Sequence, residues 1–236
     1  MFIFLNMKTE AIVAAAGVGK RLRAKTRKPY LKILRKPILI HTLQALSGSA
    51  DINKIIVVVN RLDKKLCCAL VKKYKVKKIK AIAAGGSQRR DSVRNGLQLL
   101  DKDTDVVLIH DGVRPFINRQ LIKESVASAK RFGACVVGVP VKATIKKVAR
   151  SPGHQITSVE KTIDRKNLWE IQTPQVFKKD LILRAYNKFG NIAATDDAML
   201  VEKLGVQVRV VLGSYNNIKI TTPEDLVIAE GLAKCA

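Results

Sequence analysis

The chain has 236 residues, 47% of them hydrophobic, which is enough for one or two globular domains with a sizeable core. Its 44 lysines and arginines outnumber its 19 acidic residues, which gives a formal net charge of +25. This apolar content excludes an intrinsically disordered chain. Its apolar runs, such as residues 55–59, are much shorter than the ~18 residues that a membrane-spanning helix requires, so no membrane association is expected.

The beginning of the chain predicts no secretory signal, because residues 1–6 are too few for its apolar region and no basic residues precede them. Met7 is an alternative start, since the first predicted strand begins shortly after it. The cysteines lack the spacing of metal ligands, and the adjacent Cys67 and Cys68 are a poor disulfide pair. We therefore expect a cytoplasmic protein with reduced thiols.

Strand-like apolar runs alternate with helix-like segments along most of the chain. The predicted strands are residues 11–16, 55–59, 76–82, 106–109, 134–141, 206–212 and 217–221. The predicted helices are residues 37–46, 64–74, 87–100, 119–131, 179–189, 195–204 and 223–233. This alternation is typical of an α/β fold with a mostly parallel sheet. No internal repeat or flexible linker interrupts it, so we predict a single domain over residues 1–236.

Residues 142–166 depart from this alternation. Two short β-like segments, 144–149 and 156–162, flank the turn sequence Ser151-Pro152-Gly153-His154. Both faces of this hairpin are polar, so it forms little core by itself. We therefore predict a protruding β-arm at about 142–166, which a dimer could exchange between its subunits.

The positive charge has three interpretations. Clusters of lysine and arginine at residues 20–28, 72–80 and 142–150 would suit a nucleic-acid-binding protein. However, aromatic residues make up only 5% of the chain, and no stacking platform, helix-turn-helix or zinc finger is evident. Nucleic acid is therefore not an expected partner. The other interpretations are a lysine-rich surface on an ordinary enzyme and a site for a small anionic substrate.

The first predicted strand leads into a loop of small residues that is followed by basic ones, Ala14-Ala15-Ala16-Gly17-Val18-Gly19-Lys20-Arg21-Leu22. Small residues let backbone N–H groups approach a phosphate or a base, and ligands of open α/β sheets bind at the carboxyl ends of strands. The loop lacks the third glycine of a dinucleotide fingerprint and the serine or threonine of a Walker A motif. A triphosphate site and an ordinary surface turn both remain open.

A second candidate follows the strand at residues 106–109, in the sequence His110-Asp111-Gly112-Val113-Arg114-Pro115. An aspartate at the end of a strand can accept a hydrogen bond from a ribose hydroxyl or hold a cation. It can equally cap the turn that follows. We expect His110 to be a packed histidine and not a catalyst.

In their order along the chain, short motifs resemble the 2-C-methyl-D-erythritol 4-phosphate cytidylyltransferase family of the non-mevalonate isoprenoid pathway. The matching stretches are residues 14–22, Lys28-Pro29-Tyr30-Leu31, 84–93, 110–115, Asp164-Arg165, Leu168-Trp169, Gln172-Thr173-Pro174-Gln175, Thr195-Asp196 and 217–221. Each motif is weakly specific, but the ordered set spans nearly the whole chain. The resemblance implies a Rossmann-like nucleotidyltransferase core and a β-arm that forms a homodimer, in agreement with the arm predicted above.

The resemblance also implies the reaction. CTP and methylerythritol phosphate would give the CDP-linked alcohol and pyrophosphate, with Mg²⁺ or another divalent cation. The phosphate of the alcohol would attack the α-phosphorus of CTP in line, so no protein nucleophile is required. Catalysis would then consist of positioning and charge neutralisation, which lysine and arginine supply. The metal ligands are not evident, and CTP phosphates would hold most of the ion.

By the same motif match, four basic residues would carry the catalysis. Arg21 and Lys28 would face the phosphates of CTP, and Lys219 and Arg165 would hold the attacking phosphate. A guanidinium can bind a phosphate through two hydrogen bonds, whereas an ammonium acts as a mobile point charge. Without the resemblance, Arg165 is a solvated charge of the arm and Lys219 an edge-strand lysine that discourages aggregation.

The remaining matches concern the groups around the two substrates. The match assigns the cytosine and ribose of CTP to Ala15, Ala16, Gly17, Gly86, Ser92, Asp111 and Gly112. It assigns the alcohol substrate to Arg114, Thr144, Thr173 and Thr195. Because Thr144 and Arg165 lie in or beside the arm, in a dimer they would enter the site of the neighbouring subunit.

The nearest alternative is a ribitol 5-phosphate cytidylyltransferase on the same scaffold, because both substrates are small polyol phosphates. Gly85-Gly86 and Asp91-Ser92-Val93 favour the methylerythritol enzyme. The chain departs from the family pattern at Pro29, Ser87 and Ala143, and none of these departures removes a phosphate-binding charge. A basic nucleic-acid-binding protein is the alternative of a different class, and it would release no pyrophosphate from CTP.

Overall fold

The computed structural model describes residues 7–17, 27–149 and 158–235. Its strands are β1 (Thr9–Ala15), β2 (Lys32–Ile33), β3 (Lys36–Pro37), β4 (Lys54–Val59), β5 (Ile79–Ala84), β6 (Val106–Asp111), β7 (Ala134–Pro140), β8 (Ile145–Val148), β9 (Val159–Ile163), β10 (Trp169–Lys178) and β11 (Arg209–Leu212). Its helices are α1 (Ile38–Ser47), α2 (Lys64–Lys73), α3 (Arg89–Leu97), α4 (Arg119–Phe132), α5 (Lys179–Phe189), α6 (Ala198–Glu202) and α7 (Pro223–Lys234). None of the helices in these three ranges is long and apolar enough to cross a membrane.

The main sheet has the strand order β11–β7–β10–β6–β1–β4–β5. The pairs β1–β4, β1–β6, β4–β5 and β11–β7 are parallel, whereas β10 runs antiparallel to both of its neighbours. The apolar run of isoleucine and valine in β4 is buried on both faces of the sheet. Such burial is expected of a central parallel strand, which is why this run predicted a strand. The predicted α/β fold with a mostly parallel sheet is confirmed.

Successive side chains of β1 point to opposite faces of the sheet. Val13 packs in the layer that contains α1 and α4, where Leu43 and Ile122 are fully buried. Ile12 packs in the other layer, which contains α3 and α5 and includes Val93. The two layers hold the sheet from both sides, so the carboxyl ends of β1, β4 and β6 have fixed positions beside one another.

Strands β8 and β9 form a separate two-stranded antiparallel sheet. Ile145 lies opposite Ile163, and Lys147 lies opposite Lys161. Most side chains of the pair are exposed, as the polar pattern predicted. The hairpin of the predicted arm is therefore present, and its turn, residues 150–157, lies outside the described residues.

Strand β10 was not predicted from the sequence. Its polar residues and Pro174 hide the strand pattern, yet residues 172–177 are buried between β6 and β7. The ladder with β7 is interrupted between Gln172 and Gln175, around the cis peptide bond that joins Thr173 to Pro174. Proline has no N–H to donate to a ladder, so the hydrogen-bond pattern of the strand is interrupted at Pro174.

The strand predicted at residues 217–221 is wrong. This segment is a loop whose backbone pairs with the fold through the N–H of Ile220, which donates to the carbonyl of Val113 at 3.0 Å. The side chain of Asn217 adds two hydrogen bonds to β10, and the backbone carbonyl of Asn217 accepts a third from Arg114. Lys219 is consequently not an edge-strand lysine, and this alternative explanation for it no longer applies.

Candidate functional site

A cavity of about 470 Å³ opens beside the carboxyl ends of β1, β4 and β6. It is lined by Ala14, Ala15, Ala16, Gly17, Lys28, Pro29, Asn60, Gly86, Ser87, Gln88, Arg89, Ser92, Asp111, Val113 and Lys219. Among these described residues, small ones form one wall, and lysine and arginine side chains surround the carboxylate of Asp111 on the other. This is the position at which ligands of open α/β sheets bind.

Two glycines allow the walls of this cavity to approach closely. A Cβ on Gly85 would lie 2.3 Å from the Cβ of Ala16 and 2.6 Å from the Oγ of Ser92. A Cβ on Gly112 would lie 2.7 Å from the Cβ of Ala15. All three distances are far below van der Waals contact, so the loop after β1 can pack against its neighbours only because these positions lack a side chain.

The turn between β5 and α3 is held by its own side chains. The backbone N–H of Gly86 donates to the hydroxyl oxygen of Ser92 at 3.2 Å, and that hydroxyl donates to the carbonyl of Gln88 at 3.2 Å. The carboxylate of Asp91 accepts from the N–H of Gln88 at 3.0 Å, which caps the helix. The amino end of α3 therefore faces the cavity, and it favours a negatively charged ligand.

Asp111 is the centre of charge in the site. The residue is 5% exposed, and its carboxylate contacts three cations: Arg89 Nε at 3.2 Å, Lys219 Nζ at 2.7 Å and Arg114 Nε at 3.7 Å. Burial alone would raise the pKa of this carboxyl group, but the three cations outweigh burial and hold the pKa well below its usual range. Asp111 is therefore a permanent anion whose position is set from three directions.

His110 lies beneath this carboxylate and is fully buried. Its Nε2 is assigned as the donor to the carbonyl of Arg114 at 3.1 Å, which leaves Nδ1 to accept from the hydroxyl of Thr173 at 3.1 Å. The same hydroxyl oxygen accepts the backbone N–H of Asp111 at 3.1 Å. His110 is thus the packed histidine that the sequence predicted, and it links β6 to β10.

Asn217 anchors the loop that carries Lys219. Its Nδ2 donates to the side-chain oxygen of Gln172 at 3.0 Å and to the carbonyl of Thr173 at 2.9 Å. Its own carbonyl accepts from Arg114 at 2.7 Å. Because Asn217 is 1% exposed and bound at three points, Lys219 projects from a fixed base.

Lys219 stands between two cavities. It lines the first one and also a second cavity of about 500 Å³. The second cavity is lined by Arg114, Val139, Glu170, Gln172, Tyr215, Ile218, Lys219, Thr221 and Asp225. The Lys219 side chain is 40% exposed, so its ammonium group is accessible to a ligand while it contacts Asp111.

Most of the predicted site residues meet around these two cavities. The first cavity contains the predicted residues Ala15, Ala16, Gly17, Lys28, Gly86, Ser92, Asp111 and Lys219. Arg114 lines the second cavity. Gly112 and Thr173 are neighbours of Asp111. Gly112 packs against Ala15, and the hydroxyl of Thr173 accepts a hydrogen bond from the backbone N–H of Asp111.

Three predicted residues do not reach these cavities. Thr144 and Arg165 are exposed residues of the arm region, and the guanidinium of Arg165 donates to the carbonyl of Lys142. Thr195 is exposed as well, with its hydroxyl 3.9 Å from the sulfur of Met199. The prediction for Arg21 falls on residues 18–26, which lie outside the described residues.

The sequence reasoning overlooked several lining residues. Asn60 directly follows β4, and its side chain caps the next turn by accepting a hydrogen bond from the N–H of Leu62. Arg89 contacts two buried carboxylates, Asp111 and Asp197. Arg89 belongs to a motif that carried the family resemblance, so the available signal was its place in that motif.

Comparison with known proteins places the chain among cytidylyltransferases. Residues 9–234 match the model of a family described as 2-C-methyl-D-erythritol 4-phosphate cytidylyltransferase. A relative of that name from Alkaliphilus metalliredigens is 46% identical over 228 residues, which cover 95% of this chain and 92% of the relative. One from Clostridioides difficile is 45% identical over 222 residues, which cover 93% of this chain and 91% of the relative.

Solved structures give the same result. The crystal structure of 4-diphosphocytidyl-2C-methyl-D-erythritol synthase from Anaerococcus prevotii has a TM-score of 0.83 at 32% identity, covering 97% of this chain and 96% of the other. The 2-C-methyl-D-erythritol 4-phosphate cytidylyltransferase of Thermus thermophilus has a TM-score of 0.76 at 30% identity, covering 97% of this chain and 100% of the other. The resemblance inferred from short motifs, and the nucleotidyltransferase fold that it implied, are confirmed.

The buried imidazole predicts a pH dependence of stability. Burial lowers the pKa of His110 from 6.5 to about 4, so the unfolded chain takes up this proton at a higher pH than the folded protein. The free energy of unfolding should therefore fall as the pH decreases from 6.5 to 4, by on the order of 3 kcal/mol. Denaturant unfolding at several pH values, compared between the wild type and His110→Gln, measures this loss. Parallel curves for the two proteins would contradict the prediction.

Proposed function

The chain belongs to the 2-C-methyl-D-erythritol 4-phosphate cytidylyltransferase family, and we propose that it transfers the cytidylyl group of CTP to 2-C-methyl-D-erythritol 4-phosphate and releases pyrophosphate. The main support for this proposal is the position of Lys219. It lines both the cavity at the carboxyl ends of the parallel strands and the second cavity beside it. A cation shared by two spaces is suited to a reaction in which two phosphate-bearing substrates must meet. The transfer joins them at the α-phosphorus of CTP.

CTP would occupy the first cavity. The small wall of Ala15, Ala16 and Gly17, together with Gly86, leaves backbone groups accessible to a pyrimidine and its ribose. A purine is larger, so we expect the close packing of this wall against its neighbours to disfavour it. The amino end of α3 and the ammonium group of Lys28 line the same cavity and would attract the triphosphate.

The second substrate would approach from the second cavity. Its phosphate oxygen attacks the α-phosphorus of CTP, a new P–O bond forms, and the bond to the leaving pyrophosphate breaks. Lys219 would hold the attacking phosphate, while Lys28 and Arg21 would stabilise negative charge on the triphosphate. These charges act by positioning and by electrostatic stabilisation, and no covalent enzyme intermediate is needed.

A divalent cation fits this chemistry. Mg²⁺ usually keeps several waters and takes one or two carboxylates together with phosphate oxygens. Asp111 is the carboxylate that lines the first cavity, and within residues 7–17, 27–149 and 158–235 no group of three or more acidic, histidine or cysteine side chains could hold a metal. We infer that the triphosphate itself would supply most of the ligands. The bound ion would neutralise charge on the phosphates and favour departure of pyrophosphate.

The β-arm would complete the site in a homodimer. Thr144 and Arg165 are exposed and line neither cavity within one chain, although the family resemblance assigns both to the alcohol substrate. A two-fold dimer that exchanges its arms would bring them to the second cavity of the partner. We also propose that the enzyme is cytoplasmic, as its cysteine usage suggested.

The first experiment is pyrophosphate release from CTP, with methylerythritol 4-phosphate and ribitol 5-phosphate tested in parallel, each with and without Mg²⁺. We expect release with methylerythritol 4-phosphate only, and only with the metal. Release with ribitol 5-phosphate alone would keep the mechanism and overturn the substrate. No release with either alcohol from folded protein would contradict the proposed function and favour a role for the basic surface.

The Lys219→Ala variant should lose most of its activity. A preorganised charge at the reacting phosphate contributes about 10²–10³ in kcat. Steady-state kinetics with both substrates measures the loss, and Lys123→Ala on the exposed face of α4 is the matched control, which should retain wild-type kinetics. A folded Lys219→Ala protein with an unchanged kcat would remove Lys219 from the catalytic residues.

Mixing two inactive variants tests the shared site. If the arm of one subunit enters the site of the other, a heterodimer of Arg165→Ala and Lys219→Ala has one site with both defects and one with neither. After subunit exchange the mixture should recover about a quarter of the wild-type activity. Each variant alone serves as the control. A mixture no more active than its components would show that Arg165 acts within its own chain or not at all.

A further inference from the structure

Arg89 bridges two buried carboxylates at the edge of the first cavity. Its Nε lies 3.2 Å from one oxygen of Asp111, and its Nη1 lies 2.8 Å from one oxygen of Asp197. Lys219 contacts the other oxygen of Asp111 at 2.7 Å. Acidic and basic groups therefore alternate along a chain of contacts from Asp197 to Lys219.

The far end of this chain is anchored outside the cavity. Asp197 is 1% exposed, and its other carboxylate oxygen accepts from the hydroxyl of Tyr186 on α5 at 2.6 Å. The backbone N–H of Asp197 donates to the side chain of Gln175 on β10 at 3.0 Å. Asp197 is thus held by a helix and a strand, and it can serve as a fixed point for Arg89.

We propose that Arg89 is a positioning residue. Held by Asp197, it fixes the orientation of the Asp111 carboxylate, and Asp111 in turn fixes the position of the Lys219 ammonium group. The proposal rests on the proposed function, in which Lys219 holds the attacking phosphate. A guanidinium suits the task because its planar fork of donors can contact two carboxylates at once in fixed directions. Asp197 and Tyr186 then influence the reaction although neither lines the cavity.

The charges explain why Arg89 matters for Lys219. Asp111 is shared among Arg89, Lys219 and Arg114, and burial makes each of these cations more important to it. Without Arg89, the Oδ1 atom of Asp111 loses the cation that contacts it, and the carboxylate is free to rotate towards Lys219 and Arg114, which both contact Oδ2. Lys219 would be bound more tightly to Asp111 and would be less available to a phosphate.

Two variants distinguish a positioning role of Arg89 from that of an ion pair that only stabilises the fold. Arg89→Gln removes the cation and leaves the buried Asp197 carboxylate without the cation that contacts it, so both stability and kcat should fall. The double variant Arg89→Gln with Asp197→Asn removes the uncompensated charge as well. Its thermal stability should return towards that of the wild type, while its kcat should stay lower by about 10²-fold, because Asp111 still lacks its partner.

The KM for CTP provides a further distinction. Arg89 lines the CTP cavity, so a direct contact with the nucleotide would raise this KM and leave kcat largely unchanged. A positioning residue should instead lower kcat, with the KM for CTP within about threefold of the wild type. Arg94→Gln on the same helix is the matched control, since Arg94 contacts the side chain of Asn191 and lines neither cavity.

A crystal structure of the double variant tests the geometry without any turnover. We expect the Asp111 carboxylate and the Lys219 ammonium to be displaced from their wild-type positions. Recovery of kcat together with stability, a change confined to the KM for CTP, or an undisturbed Asp111–Lys219 pair would each overturn the proposal. An inactive wild-type enzyme would refute the proposed function alone, and the displacement of this pair would still decide the positioning role.

Discussion

The site depends on one buried anion, Asp111. A carboxylate that is withdrawn from water is tolerated only where cations and hydrogen bonds compensate for the lost solvation, and here they come from α3, from the turn after β6 and from the loop that carries Lys219. Compensation therefore requires parts of the chain that are distant in sequence to converge at the end of β6. The same contacts that stabilise the charge also place the basic groups around the two cavities.

The antiparallel strand β10 makes this convergence possible. Because it lies between β6 and β7, its Thr173 hydroxyl reaches the backbone N–H of Asp111. The carbonyl of Thr173 and the side-chain amide of Gln172 accept hydrogen bonds from Asn217. The interruption of its ladder around Pro174 falls at this point, so the strand serves both the sheet and the site. The neutral imidazole of His110 completes the contact without adding a further charge beside Asp111.

The excess of positive charge has only a partial explanation in the site. With 44 basic and 19 acidic residues, one-to-one pairing leaves 25 cations without an acidic partner somewhere in the chain. A few of the basic residues line the cavities, where the proposed substrates carry several negative charges. The others raise the positive potential around the molecule, which attracts anionic ligands and speeds their encounter.

The sequence by itself determined the alternation of strands and helices, the hairpin and the family, because apolar periodicity and short motifs are local properties. It indicated that Asp111, Lys219 and the small loop residues belong to one site. Only the tertiary structure placed β10 within the sheet, turned residues 217–221 into a loop, and revealed Arg89 between Asp111 and Asp197. These features depend on contacts between residues far apart in the chain, and the energy of a buried ion pair depends on a geometry that no local pattern contains.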